Sequence, residues 1–206
     1  MPTPPRRRLS PEERSAQIDA AAVALARADG LAGLTLRTVA ASVGVAPSLV
    51  AHYRPAIKAL VADTFRTVAT DEVAEVRQVV IAEHDPVDRL RALLAAVNDP
   101  RRDDVGTIWA DAWSIGRSNP QLADAARAVM GAWQELASQV VADGVAAGSM
   151  HTDDPDRVAF LLFALVDAAN GYALVGHRSR AERDDLVVRT VAGAVGLPAE
   201  RLTSDG

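Results

Sequence analysis

The sequence predicts an all-α fold: an N-terminal three-helix helix-turn-helix unit followed by a larger helical domain, about nine helices in all. Three observations carry this expectation. Apolar residues recur at three- and four-residue spacing along most of the chain, the period of a helix with one buried face. No stretch sustains the two-residue alternation of a half-buried strand. The breaks between apolar stretches carry helix-start chemistry. In Ser10-Pro11, Asp85-Pro86 and Asn119-Pro120 a capping side chain precedes a proline suited to the first helical turn.

The first helix opens on Ser10-Pro11-Glu12-Glu13, a capping box in which hydroxyl and carboxylate satisfy free amides reciprocally. It runs to about Asp29, with Ile18, Ala21, Ala22, Leu25 and Ala26 as its buried stripe, and Gly30 stops it. Residues 36–60, LRTVAASVGVAPSLVAHYRPAIKAL, read as two short helices around a tight turn. Thr35 caps the first of these, and Leu36, Val39, Ala40 and Val43 form its apolar face. Gly44 ends it where a left-handed residue costs least. Pro47 opens the second, which turns Leu49 and Val50 to the core and Pro47, Ser48, Ala51 and His52 outward. Small and polar residues on an outer face suit a helix that enters a major groove.

A fourth helix, from Pro55 or Ala56 to about Glu83, links the two parts. Leu60, Phe65 and Val68 face the three-helix unit, and Val73, Val76, Val79 and Val80 continue into the second domain. Further helices are expected from Asp85-Pro86 to about Val97, from about Val105 to Arg117 and from Asn119-Pro120 to about Ala147. Two more follow, from Asp153 or Asp154 to about Val175 and from about Glu182 to Val195. The expected organisation is a disordered basic arm over 1–10, a helix-turn-helix unit over 11–58, a larger helical domain over 59–197, and a loose tail over 198–206.

With 49% hydrophobic and 24% charged residues, the composition fits a soluble globule. The absence of cysteine excludes a disulfide framework and a thiolate metal site. The N-terminus is basic without the apolar core of a signal peptide, and no apolar run approaches the ~18 residues of a membrane span. A cytoplasmic protein with no membrane partner is expected. Net charge is −5, but unevenly distributed: residues 1–58 carry +4 and the remainder −9. A basic front on an acidic body suits a protein that offers one face to nucleic acid, although chance asymmetry gives the same pattern. Arg6-Arg7-Arg8 fits either an arm along DNA or a solvated tail.

Gly30, Thr35, Leu36-x-x-Val39-Ala40, Gly44-Val45 and His52-Tyr53 occur in an order, without gaps, that resembles the DNA-binding domain of the tetracycline-repressor (TetR) family. The likeness spans residues from about Arg14 to about Phe65 and is nearest the choline-responsive (BetI) type, which carries a similar small-residue-His-Tyr sequence. It implies a DNA face built from Thr35, Arg37, Pro47, Ser48, His52, Tyr53 and Lys58. Ala51 or Arg54 stands where the family carries an aromatic residue, Ile57 where it carries a lysine, and Ala46 where it carries a hydroxyl cap. Lys58 is therefore one place out of register.

All three tryptophans fall in the second domain. Trp109 and Trp113 share one helix face, Met130 and Trp133 lie on the next helix, and Phe160 and Phe163 on the one after. These six residues line either an apolar or cation-accepting pocket, or simply a core. The resemblance implies the pocket, and with it a small-molecule effector. Residues 158–175, apolar nearly all round, form either a central core helix or a two-fold interface. With the last helix, whose apolar side holds Leu186, Val187, Val191, Ala194 and Val195, they are expected to form a homodimer. The resemblance again implies the dimer.

No phosphate loop, nucleophile elbow or His-Glu metalloprotease motif occurs, and Glu83-His84-Asp85 reads as an ordinary polar helix end rather than a metal site. No catalytic residue, cofactor or metal is expected. The reading is a ligand-responsive repressor on a near-palindromic operator. Its rivals are a helical enzyme or small-molecule carrier with a merely structural N-terminal unit, and a protein-binding adaptor.

Overall fold

The computed structural model describes residues 9–203. The arm expected over residues 1–10 lies almost entirely outside these, as do the last three residues. Nine α-helices and no strand occur among the described residues: α1 Pro11–Asp29, α2 Leu36–Val43, α3 Pro47–Tyr53, α4 Ile57–Ala82, α5 Pro86–Val97, α6 Asp103–Gly116, α7 Pro120–Ala146, α8 Pro155–Leu174 and α9 Arg180–Ala194.

The helix starts follow the local chemistry. The Ser10 hydroxyl accepts from the Glu13 amide at 3.1 Å, and the Glu13 carboxylate accepts from the Ser10 amide at 2.7 Å. Thr35 caps α2 in a reciprocal arrangement with Thr38. Gly44 follows α2 in the left-handed region at φ 68°, and α3 starts at Pro47 behind Ala46, which offers no side-chain cap. Asp85, Asn119, Asp154 and Ser179 cap the later helices.

α4 and α7, 26 and 27 residues long, are the frame of the molecule. Near their starts the buried Asn119 side chain donates to the Lys58 carbonyl at 2.9 Å. Past the end of α4, Arg89 pairs with Asp143 of α7 at 3.0 Å. The two helices therefore run in the same direction, and α4 carries the frame from the helix-turn-helix unit into the second domain. Phe65, Val68, Val76 and Val80 of α4 are fully or almost fully buried.

α6 packs beneath the helix-turn-helix unit and is tied to it at two points. Asp104 pairs with Arg27 of α1 at 2.9 Å. The Asp111 carboxylate accepts from the Ala32 amide at 2.9 Å, in the 3-10 turn that follows α1. Gly30 sits at φ 75°, and a Cβ there would lie 2.5 Å from the same carboxylate, so glycine is required twice over.

Four expectations need correcting. The chain beyond Pro198 is not wholly loose: Ala199–Arg201 form a 3-10 turn, Leu202 is buried, and Arg91 donates to the Arg201 carbonyl. Val79 faces solvent rather than the second domain, because only the Val73, Val76 and Val80 stripe meets neighbouring helices. The apolar side of α9 divides, with Val187, Val191 and Val195 in the chain's own core and Leu186 50% exposed. Finally, α8 is long and apolar enough to cross a membrane by length and composition, although no uninterrupted apolar run of that size occurs. Its buried residues, Val158, Ala159, Leu162 and Val166, face the rest of the chain.

Candidate DNA-binding face and effector cavity

α3 presents Pro47, Ser48 and His52 to solvent, while Val50 is buried and Tyr53 is half-buried against the core. The His52 and Tyr53 rings meet edge to face at 5.3 Å. Arg37, in the first turn of α2, is exposed and forms no ion pair among the described residues. Thr35 is exposed, but its hydroxyl already accepts from the Thr38 amide at 3.0 Å. Lys58 departs from expectation. Its ammonium donates to the Ser118 carbonyl at 2.8 Å, which ties the start of α4 to the α6–α7 turn instead of leaving it for phosphate. The register shift of this lysine has a structural consequence that its position in the sequence did not reveal.

Arg54, noted only as a departure from the expected pattern, ends α3 by gripping α1. Its guanidinium donates to both oxygens of Asp19, to the Ser15 hydroxyl at 2.8 Å and to the Tyr53 carbonyl at 2.9 Å. A bidentate fork of this kind fixes direction as well as distance, so it sets how α3 leaves the body of the unit.

The cavity that gathers the aromatic residues of the second domain lies among α4, α6, α7, α8 and the start of α9. The structure brings Trp109, Trp113, Met130, Trp133 and Phe163 onto its wall. Trp109 also packs edge to face on Phe65 at 4.9 Å, so it belongs to core and cavity together. Trp113 lies 5.4 Å from Trp109 and is 40% exposed, and Trp133 lies 5.3 Å from Phe163. Phe160 is the exception. It is 61% exposed, on the face of α8 turned away from α7, and does not close the cavity.

The cavity has polar residues that the aromatic pattern did not indicate. Glu72 of α4 and Asp167 and Asn170 of α8 line it. Burial pushes the Glu72 carboxyl up to about 7, opposed by the Arg102 charge and a hydrogen bond from Trp109. Burial alone pushes Asp167 up to about 6. At the mouth, Arg180 holds both oxygens of Asp103 at 2.6 Å and also donates to the Asn98 carbonyl. Asp111 and Tyr172, polar neighbours in sequence, point elsewhere: Asp111 to Ala32, and Tyr172 outward against His177.

A helix-turn-helix unit seated on a helical domain with its own cavity defines a class, the one-component regulators that carry reader and sensor on one chain. Residues 86–191 match the family model of the tetracyclin repressor-like C-terminal domain. The chain belongs to that family of transcriptional regulators. No curated protein sequence matches it. Among solved structures, it is similar to a transcriptional regulator from Saccharomonospora viridis in complex with choline, at 19% identity, covering 89% of this chain and 98% of that one, TM-score 0.80. A TetR-family regulator from Rhodococcus sp. is 20% identical, covers 89% and 99%, and has a TM-score of 0.73. The regulator FadR from Bacillus subtilis, in complex with stearoyl-CoA, is 12% identical, covers 87% and 98%, and has a TM-score of 0.69.

Proposed function

We propose that this regulator is a cytoplasmic, homodimeric repressor without catalytic activity, released from a near-palindromic operator when a small molecule enters the α4–α6–α7–α8 cavity. The observation that carries this reading is the double duty of α6. Trp109 and Trp113 on one side line the cavity, while Asp104 and Asp111 on the other hold Arg27 and Ala32 of the DNA-binding unit. The helix is 14 residues long, about 21 Å, and moves as one body. A ligand that displaces Trp113 shifts those two ties together, and with them the unit that carries α3.

Two recognition helices must lie about 34–36 Å apart, or a multiple, to enter successive major grooves. A displaced unit loses that match. Pro47, Ser48 and His52 stand nearest the bases in this reading, with Arg37, Tyr53 and Thr35 at the backbone. Phe160, Ala164, Ala168, Gly171 and Val175 are all exposed and recur at helical spacing along α8, beside the exposed Leu186 of α9. Small residues between large ones let a second copy approach closely, so this face suits a two-fold interface. Ala51-His52-Tyr53 supports a place near the choline-responsive type. The neighbours' ligands, choline and stearoyl-CoA, are a compact cation and a bulky anionic thioester, so the fold by itself selects neither.

The test is a gel shift with DNA flanking the protein's own gene, with and without candidate effectors. Salt-sensitive binding that an effector reverses is expected. Absence of binding to any such fragment contradicts the reading.

A further inference from the structure

We propose that the effector is an organic cation with an alkylated ammonium head, seated against Trp113, Trp133 and Phe163 with Asp167 as its counter-ion. This rests on the reading of the cavity as the effector site. Aromatic faces carry negative charge density and attract a cation lying over them, most strongly where water is excluded. They also offer apolar contact to alkyl groups. A fully alkylated ammonium has no donor to satisfy, so ring faces and one carboxylate are enough to hold it.

The charges around the cavity are not equivalent. Its arginines are already engaged: Arg102 with Glu75 at 3.3 Å, Arg180 with Asp103 at 2.6 Å, and Arg183 with the Arg178 carbonyl at 2.6 Å. At Arg102 and Arg180 an anionic ligand would compete with a carboxylate already in place, whereas Arg183 is held only by carbonyl oxygens and retains further N–H donors. Glu72 and Asp167 form no ion pair among the described residues. Glu72 still has the Arg102 charge and Trp109 near it. Asp167 has neither. Burial pushes it up, and no neighbouring cation pulls it back. It lies one helical turn beyond Phe163 on α8, so ring and carboxylate project from the same face. A cation bound there supplies the charge that the protein withholds.

Tryptophan fluorescence of the full chain tests this directly, with tetramethylammonium, choline, the neutral carbon isostere of choline and octanoate as probes. Saturable binding of at least one of the cations below about 10 mM is expected, at least about tenfold tighter than the isostere. Asp167→Asn, which keeps the side-chain shape, should weaken that cation by about tenfold and leave the isostere within about twofold. If the variant folds poorly, the cation-to-isostere ratio in the wild type decides alone. An isostere or octanoate that binds as tightly as the cations overturns the assignment, and so does failure of every cation to saturate. The same probes with operator DNA separate the two claims. A cation that binds but leaves DNA affinity unchanged upholds the ligand class and refutes the cavity as trigger. Release by octanoate or the isostere, with no cation effect, does the reverse.

Discussion

Asp167 and Glu72 are the residues whose chemistry is most constrained by place. Both carboxyls bind their proton more tightly folded than unfolded, so between about pH 4 and 7 the folded chain holds more protons. Stability contributed by these groups is full below their ordinary values and is lost as pH rises through about 6 and about 7. Asp99 on the same wall is held down to about 2 by Arg101, whereas burial raises Asp184 as it does Glu72 and Asp167, against the pull of Arg180 and Arg183. Thermal melting of the ligand-free protein should therefore fall from pH 5 to 8, and Glu72→Gln should flatten that slope. A melting temperature that rises over the same range contradicts the assignment. Arg54 gives a second prediction. Its pair with Asp19 is partly exposed, at 26% and 47% of the side chains, so Asp19→Ala should cost less than about 1 kcal/mol of stability. The same change should weaken operator binding by more than that, because it frees the exit of α3. Equal losses in melting and in DNA affinity would reduce Arg54 to a surface contact.

At the scale of the element, α6 separates core from cavity. Trp109 is 9% exposed and packed edge to face on Phe65, so Trp109→Ala should cost about 3–5 kcal/mol and lose DNA binding with the fold. Trp113 is 40% exposed, so Trp113→Ala should melt close to wild type, keep ligand-free DNA binding and weaken the effector. Melting beside gel shift distinguishes the two; a badly destabilised Trp113→Ala returns that residue to the core. The helices were legible in the sequence because caps, prolines and glycines act locally. Ser10, Thr35, Asp85 and Asn119 all cap where the sequence places them. What was not legible depends on pairs distant in sequence. Nothing local joins Arg54 to Asp19, Lys58 to Ser118 or Asp111 to Ala32. Phe160 and Phe163 look alike by spacing, and only the one-sided packing of α8 separates them. Asp167 did leave a signal, as a lone charge inside a long apolar run, and the aromatic pattern drew the reading past it.

For the whole molecule, the account needs two copies and one transmitted motion. The exposed stripe of α8 with Leu186 should form the interface, while Val191, in the core of one chain, should not. Leu186→Glu places two charges in that seam, at several kcal/mol by order of magnitude. It should convert a dimer to a species near 21.7 kDa in sedimentation, with the melting of the monomer little changed. A wild type already at that mass contradicts the interface and the palindromic operator together. Transmission is the central claim, and linkage makes it measurable. An effector that weakens operator affinity by some factor must itself be weakened by DNA to the same extent, a coupling of about 1–3 kcal/mol in such systems. Asp104→Ala with Asp111→Ala cuts both ties from α6 to the DNA-binding unit and leaves the cavity wall intact. The decisive measurement is operator affinity of this double variant with and without an effector that releases the wild type, alongside effector binding followed by tryptophan fluorescence. The account predicts unchanged effector binding and ligand-free operator affinity within about tenfold of wild type, with the coupling factor collapsing toward one. A double variant that binds the effector and releases operator by the wild-type factor would contradict it.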